Sequence, residues 1–135
     1  MHTLVLVLLG FHVLPAVFWT GSTMVWARGE TPTAPLLRAQ LGSAIVAIAS
    51  GAGLWHALHR GAAHDLMGQV VAAGALAAIV ALALQVAIVT PAARRLRGAS
   101  QPDLARLHAR IAKGQRAAAP LLMIAVVCMV TARYV

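Results

Sequence analysis

Four long, nearly unbroken apolar stretches alternate with short polar breaks along the chain. They run from about Leu4 to Ala27, Leu36 to Leu58, Leu66 to Ala93 and Ala117 to Tyr134. A helix that crosses a bilayer takes about 20 residues, so each stretch is near or above spanning length. The breaks read RGETPTAP (28–35), HRGAAHD (59–65) and RRLRGASQPDLARLHARIAKGQR (94–116). Their prolines, glycines and clustered charges mark loops. Within the last break GASQPD is a turn, and Asp103 is placed to cap a helix that continues into the fourth stretch. The pattern predicts an all-α, integral membrane four-helix bundle. It forms one domain over 1–135, with helices at about 4–27, 36–58, 66–93 and 104–134. The first stretch reads as a retained span: it is longer than a leader's apolar core, and no Lys or Arg precedes it.

Composition agrees. Of 135 residues 61% are hydrophobic and only 10% charged, too few to cover a water-soluble domain. The same apolar content excludes disorder. A lone cysteine, Cys128, excludes a disulfide framework within the chain and a thiolate zinc site. Eleven basic residues stand against three acidic ones. With such apolar runs the excess reports topology, not a nucleic-acid partner. Nine of the eleven (Arg28, Arg38, Arg94, Arg95, Arg97, Arg106, Arg110, Lys113 and Arg116) belong to the first and third connections, leaving Arg60 and Arg133 for the other face. Basic residues stay cytoplasmic. Both termini are therefore expected on the outer, periplasmic side of a bacterial-type inner (plasma) membrane, with the lipid bilayer as the first partner.

Small residues drive helix association in lipid. Ser43, Ala47 and Gly51, and Ala49 with Gly53, mark one face of the second span; Gly68 with Ala72 and Gly74 with Ala78 mark the third. The short break between these spans predicts that they pack tightly as antiparallel neighbours. Pro15 removes an amide donor inside the first span and frees a carbonyl near Phe11, which predicts a kink. Pro120 acts likewise in the fourth. Trp26 and Tyr134 are expected at the membrane interfaces.

Candidate chemistry rests on histidine. His12 lies about 12 Å inside the first span, counted from Leu4 at 1.5 Å per residue. An ionisable group at that depth is costly and points to function. His12, Pro15, Trp19, Thr23 and Trp26 form one helical stripe. A neutral imidazole facing a bundle interior suits haem iron or copper; the competing reading is a structural hydrogen bond to a neighbouring helix. His56, His59 and His64 cluster at the outer end of the second and third spans and are candidate copper or zinc ligands, or simply interfacial histidines. His56 is also a candidate second axial ligand for a haem held by His12, as are Met24, Met123 and Met129. His108, Arg106, Arg110 and Lys113 read as a lipid-facing basic surface. Gln69 and Gln85, within the third span, read as interhelical hydrogen-bonding residues. No membrane-embedded carboxylate appears, which argues against a proton-coupled pump. No nucleophile triad or phosphate loop appears either, so no catalytic residue is assigned.

The stretch FHVLPAVFWTGSTMVWAR, with His12 followed by Trp19 and Gly21, resembles the first helix of membrane proteins of the copper resistance D type. It also resembles that of the HemJ type of protoporphyrinogen oxidase. SGAGLW in the second span is similar to the small-residue second helix of that group. TPAARRLRG and LHARIAKGQR add a weaker likeness. The resemblance implies a four-helix module that binds b-type haem or porphyrin, with His12 as axial ligand and Trp19 beside the cofactor, or one that handles copper. The HemJ pattern also implies a lysine in the third span, where this chain has only Gln69 and Gln85. Three readings follow: a haem-binding protein in redox or tetrapyrrole chemistry; a non-catalytic accessory subunit of a larger respiratory or photosynthetic membrane complex, or of a homo-oligomer; and a copper-handling protein.

Overall fold

The structure is a computed structural model that describes residues 2–58 and 65–135. It contains α1 (His2–Ala27), α2 (Ala34–Leu58), α3 (Leu66–Leu84), a π-helical segment (Gln85–Val89), α4 (Thr90–Arg95), a 3-10 turn (Leu96–Gly98), α5 (Gln101–Thr131) and a closing 3-10 turn (Ala132–Tyr134). Helix follows helix from Leu66 to Gly98, so the third span is one rod with a widened turn in it. Four of these rods are long and apolar enough to cross a membrane. The chain is a multi-pass integral membrane protein by that criterion.

The boundaries have local causes. α1 ends at Ala27, and two residues on Gly29 has a φ of 102°, in the left-handed region that glycine tolerates. The amides of Arg28 and Gly29 close the last turn on the carbonyls of Val25 and Trp26. Asp65 caps α3, its carboxylate accepting from the Gly68 amide at 2.7 Å. At α5 the cap is Ser100, not Asp103. The helix begins at Gln101, the Ser100 carbonyl accepts from the amides of Asp103 and Leu104, and the Ser100 hydroxyl donates to Asp103 Oδ2 at 2.6 Å. Asp103 thus sits three residues past the cap, and Pro102 occupies the first turn, where a missing amide is harmless. The π segment ends at Val89, two residues before Pro91. Pro91 has no amide to donate and its ring crowds the preceding turn. The widened turn adjusts the backbone there, with the Thr90 amide reaching back to the Gln85 carbonyl.

α1 packs antiparallel on α2, α3 on α5, and α1 on α5; α2 and α3 touch only sparsely. The expected tight α2–α3 pair is therefore not what forms. The small residues serve other partners. A Cβ on Gly51 would lie 2.9 Å from the His12 ring of α1, and one on Gly53 would lie 3.5 Å from Leu8. A Cβ on Gly74 would lie 2.8 Å from Cys128 Cβ and 3.3 Å from the Ala125 carbonyl of α5. A Cβ on Gly114 of α5 would meet Val89 at 2.7 Å. Each close approach couples α1 to α2 or the third rod to α5. Both chain termini lie at one end of the bundle, and the Ala27–Ala34 and Gly98–Gln101 connections lie at the other.

The interior is layered. Trp19, Ala44, Ala47, Ala81, Ala118 and Leu122 form one buried cluster. Toward the end that carries the two short connections, Trp26, Leu37, Val89, Ala92 and Ile111 form another. Trp26, one residue from the end of α1, packs into this second cluster and is only 6% exposed. Tyr134 is exposed, with the Arg133 guanidinium 5.1 Å from its ring centre.

Candidate functional site

Between the two apolar layers lies a polar one. Thr23 of α1, Gln40 of α2, Gln85 of the π segment and Gln115 of α5 are each at most 1% exposed. Trp19 completes the group. Seven hydrogen bonds join them. The Trp19 indole N–H donates to Gln85 Oε1 at 2.7 Å. Gln85 Nε2 donates to Thr23 Oγ1 at 2.9 Å and to Gln115 Oε1 at 2.7 Å. Gln115 Nε2 donates to Gln40 Oε1 at 2.9 Å. Gln40 Nε2 donates to Thr23 Oγ1 at 2.9 Å and, more weakly, to Gln115 Oε1 at 3.4 Å. The Thr23 hydroxyl donates to the Trp19 carbonyl at 2.8 Å.

Each of these five side chains is both close-packed and hydrogen-bonded, and every rod contributes at least one. Buried amides are tolerated only when they are paired, and pairing across helices fixes their rotation and depth. The π segment matters here. It starts at Gln85, and a five-residue turn changes which side of the rod the following residues face. No member of the network ionises near neutral pH. The layer can orient helices but offers no acid, base or nucleophile.

The histidines lie elsewhere. His12 sits toward the chain-terminal end of α1, half-buried, with Nδ1 2.7 Å from the Ala47 carbonyl. A carbonyl only accepts, so Nδ1 carries the proton, and a neutral ring keeps its lone pair on Nε2. Gly51 leaves the room the ring occupies. The Ser50 hydroxyl, one turn along, is 2.6 Å from the Val46 carbonyl and 3.2 Å from the Phe11 carbonyl. Phe11 is four residues before Pro15, so this is the carbonyl that the proline leaves without its amide. The α1–α2 contact thus places a hydroxyl beside the free acceptor.

Trp19 is a core residue whose indole N–H is taken by Gln85. His56 is exposed near the end of α2. It lies five residues beyond Gly51, or roughly 8 Å along the helix axis. The structure does not bring it to His12. His59 and His64 lie outside the described residues. Among the described residues no group of three or more His, Cys, Asp or Glu converges as a metal site. Met123 is exposed and faces away from the interior, and Met129 is near Gly74 of α3. Among the described residues, His12 and His56 are not brought together. One imidazole with its Nδ1–H fixed by a carbonyl does fit as a single axial ligand, because such a bond sets the tautomer and aims the other nitrogen.

Gln85 had a readable signal, a lone amide deep in an apolar span. Gln40 and Gln115 did not. Each lies near a polar break, Gln40 six residues into α2 and Gln115 between Lys113 and Arg116, where an amide passes as interfacial. No family model matches the chain, and neither the curated proteins nor the solved structures include a match to it.

Proposed function

We propose that the chain is a non-catalytic membrane subunit, a rigid four-helix scaffold that works within a larger membrane assembly or a homo-oligomer. The observation that supports this reading is the Trp19–Thr23–Gln40–Gln85–Gln115 network. The deepest polar side chains of all four rods hydrogen-bond to one another. They hold helices in register and leave no reactive group in the layer. The test is size in gentle detergent, by native electrophoresis and light scattering of protein taken from its own membrane. A particle carrying several polypeptides supports the reading. A monodisperse single 14.0 kDa chain contradicts it.

A second reading keeps His12 as a haem ligand, in line with the resemblance of the first helix to the copper resistance D and HemJ group. Its support is the Nδ1–H bond to Ala47, which leaves Nε2 as the available ligand atom. His12 would hold the iron from one side, and the haem would supply one-electron chemistry. The reduced-minus-oxidised visible spectrum separates the readings. Sharp α and β bands that disappear in His12→Ala support the haem reading. A colourless protein, expressed with ample haem, contradicts it.

A further inference from the structure

α2 and the third rod, which barely touch along most of their length, leave a groove of about 430 Å³ at the end that carries the two short connections. Three arginines line it: Arg38 from the first turns of α2, and Arg94 and Arg97 from the end of the third rod. None of the three makes a hydrogen bond or ion pair within the described residues; Arg116 nearby, in contrast, donates to the Ala27 carbonyl at 2.7 Å. The chain's acidic residues are Glu30, Asp65 and Asp103, and none of them lines the groove. Three arginines therefore border one groove with no acidic residue among its lining.

A second observation comes from the same groove. Thr90 is among its lining residues, and Thr90 Oγ1 is the one buried side-chain polar atom among the described residues without a hydrogen-bond partner. A threonine in a helix ordinarily donates to the carbonyl one turn back. Thr90 directly follows the π segment and does not do so. A buried hydroxyl without a partner is unfavourable, and the neighbouring cations make an anion its natural acceptor. The groove also has an apolar side, with Leu41 and Ala93 below the arginines. Its depth fits a membrane surface: from Leu66 to Arg94 the rod rises roughly 42 Å at 1.5 Å per residue, close to the full thickness of a bilayer with its headgroups.

We propose that this groove binds the phosphate of an anionic phospholipid, held by Arg38, Arg94 and Arg97, with the buried Thr90 hydroxyl turning into the groove to donate to it. The lipid's glycerol and upper acyl chain lie against Leu41 and Ala93. Basic pockets between transmembrane helices select headgroups in this manner, and guanidinium forks suit phosphate oxygens. Gln40 borders the groove as well as the amide network, so a bound headgroup braces the weakly packed α2–third rod side next to the network. This inference does not depend on either reading of function above.

The test uses the full chain in neutral detergent, with retained lipid read by native mass spectrometry during titration with phosphatidylglycerol. Phosphatidylcholine and inorganic phosphate are the comparison probes. The expected result is selective retention of phosphatidylglycerol, undisturbed by millimolar inorganic phosphate. R38Q/R94Q/R97Q should weaken it on the order of 100-fold, the effect of three headgroup-level cations. R106Q/R110Q/K113Q, which removes the same charge from α5, should leave it within about 3-fold of wild type. Arg94→Gln and Thr90→Val alone should each weaken binding by about 5-fold, which keeps the test decisive if the triple variant does not fold. Equal loss in the two triple variants overturns the proposal, as do equal retention of phosphatidylcholine, displacement by inorganic phosphate, or wild-type binding in both single variants.

Discussion

The amide layer and the His12 contact are both polar sites inside an apolar bundle, yet they are built differently. In the amide layer Gln40, Gln85, Gln115, Thr23 and Trp19 bond to one another from all four rods, and every one is buried. At His12 one ring nitrogen bonds one backbone carbonyl on one neighbouring helix, and the ring is half-buried. The first arrangement depends on four helices being in place together. The second needs only α1 and α2. Hydrogen bonding across all four rods therefore belongs to residues that do not titrate, while His12 ties only α1 to α2.

The largest effect should come from breaking the amide layer. Gln115→Leu removes two acceptor contacts and a donor at once and leaves Gln85 and Gln40 with unpaired buried groups. It should lower stability by about 2–3 kcal/mol, read as the midpoint of unfolding in mixed micelles of sodium dodecyl sulfate. A loss below about 0.5 kcal/mol would mean that the layer does not hold the bundle. Gly74→Ala comes next. The new methyl would meet Cys128 Cβ at 2.8 Å and the Ala125 carbonyl at 3.3 Å, both attached closely to the α5 backbone. The helices must separate, at about 1–3 kcal/mol. Unchanged stability there would argue against close α3–α5 packing.

His12→Ala should cost less, about 0.6 kcal/mol, the average for one interhelical hydrogen bond in a bilayer. A loss as large as that of Gln115→Leu would erase the distinction between the two sites. Ser50→Ala should be smaller still, a few tenths of a kcal/mol, because its hydroxyl also bonds within its own helix at Val46. If Ser50→Ala cost more than His12→Ala, the hydroxyl's contact with the carbonyl freed by Pro15 would be the stronger tie between α1 and α2.

The same contrast explains what could be read from the chain. Four spans and their lengths were legible because apolar run length is local. So was the inward stripe of α1, where Trp19, Thr23 and Trp26 are all buried. The pairing of rods was not. The Ala- and Gly-rich faces of α2 and α3 are equally good for several neighbours, and only three-dimensional packing shows that Gly51 receives His12 and Gly74 receives Cys128. Ser100 and Asp103 are both capping residue types three positions apart, and the chain pattern alone does not say which is the cap; here the two act together. In the candidate site the histidines carry the conspicuous local signal, because imidazole titrates and ligates. Gln40 and Gln115 are 75 residues apart in sequence, and no local pattern announces that two amides so distant will face each other.

The central claim is that Gln85 and Gln115 act as parts of one network across the bundle. A double-mutant cycle of Gln85→Leu, Gln115→Leu and the pair, by unfolding in mixed micelles, tests it most directly. The account predicts that the double variant loses less than the sum of the singles, by at least about 0.5 kcal/mol, because each single change already orphans the other's partner. Strictly additive losses would show that the two amides contribute independently and would contradict it.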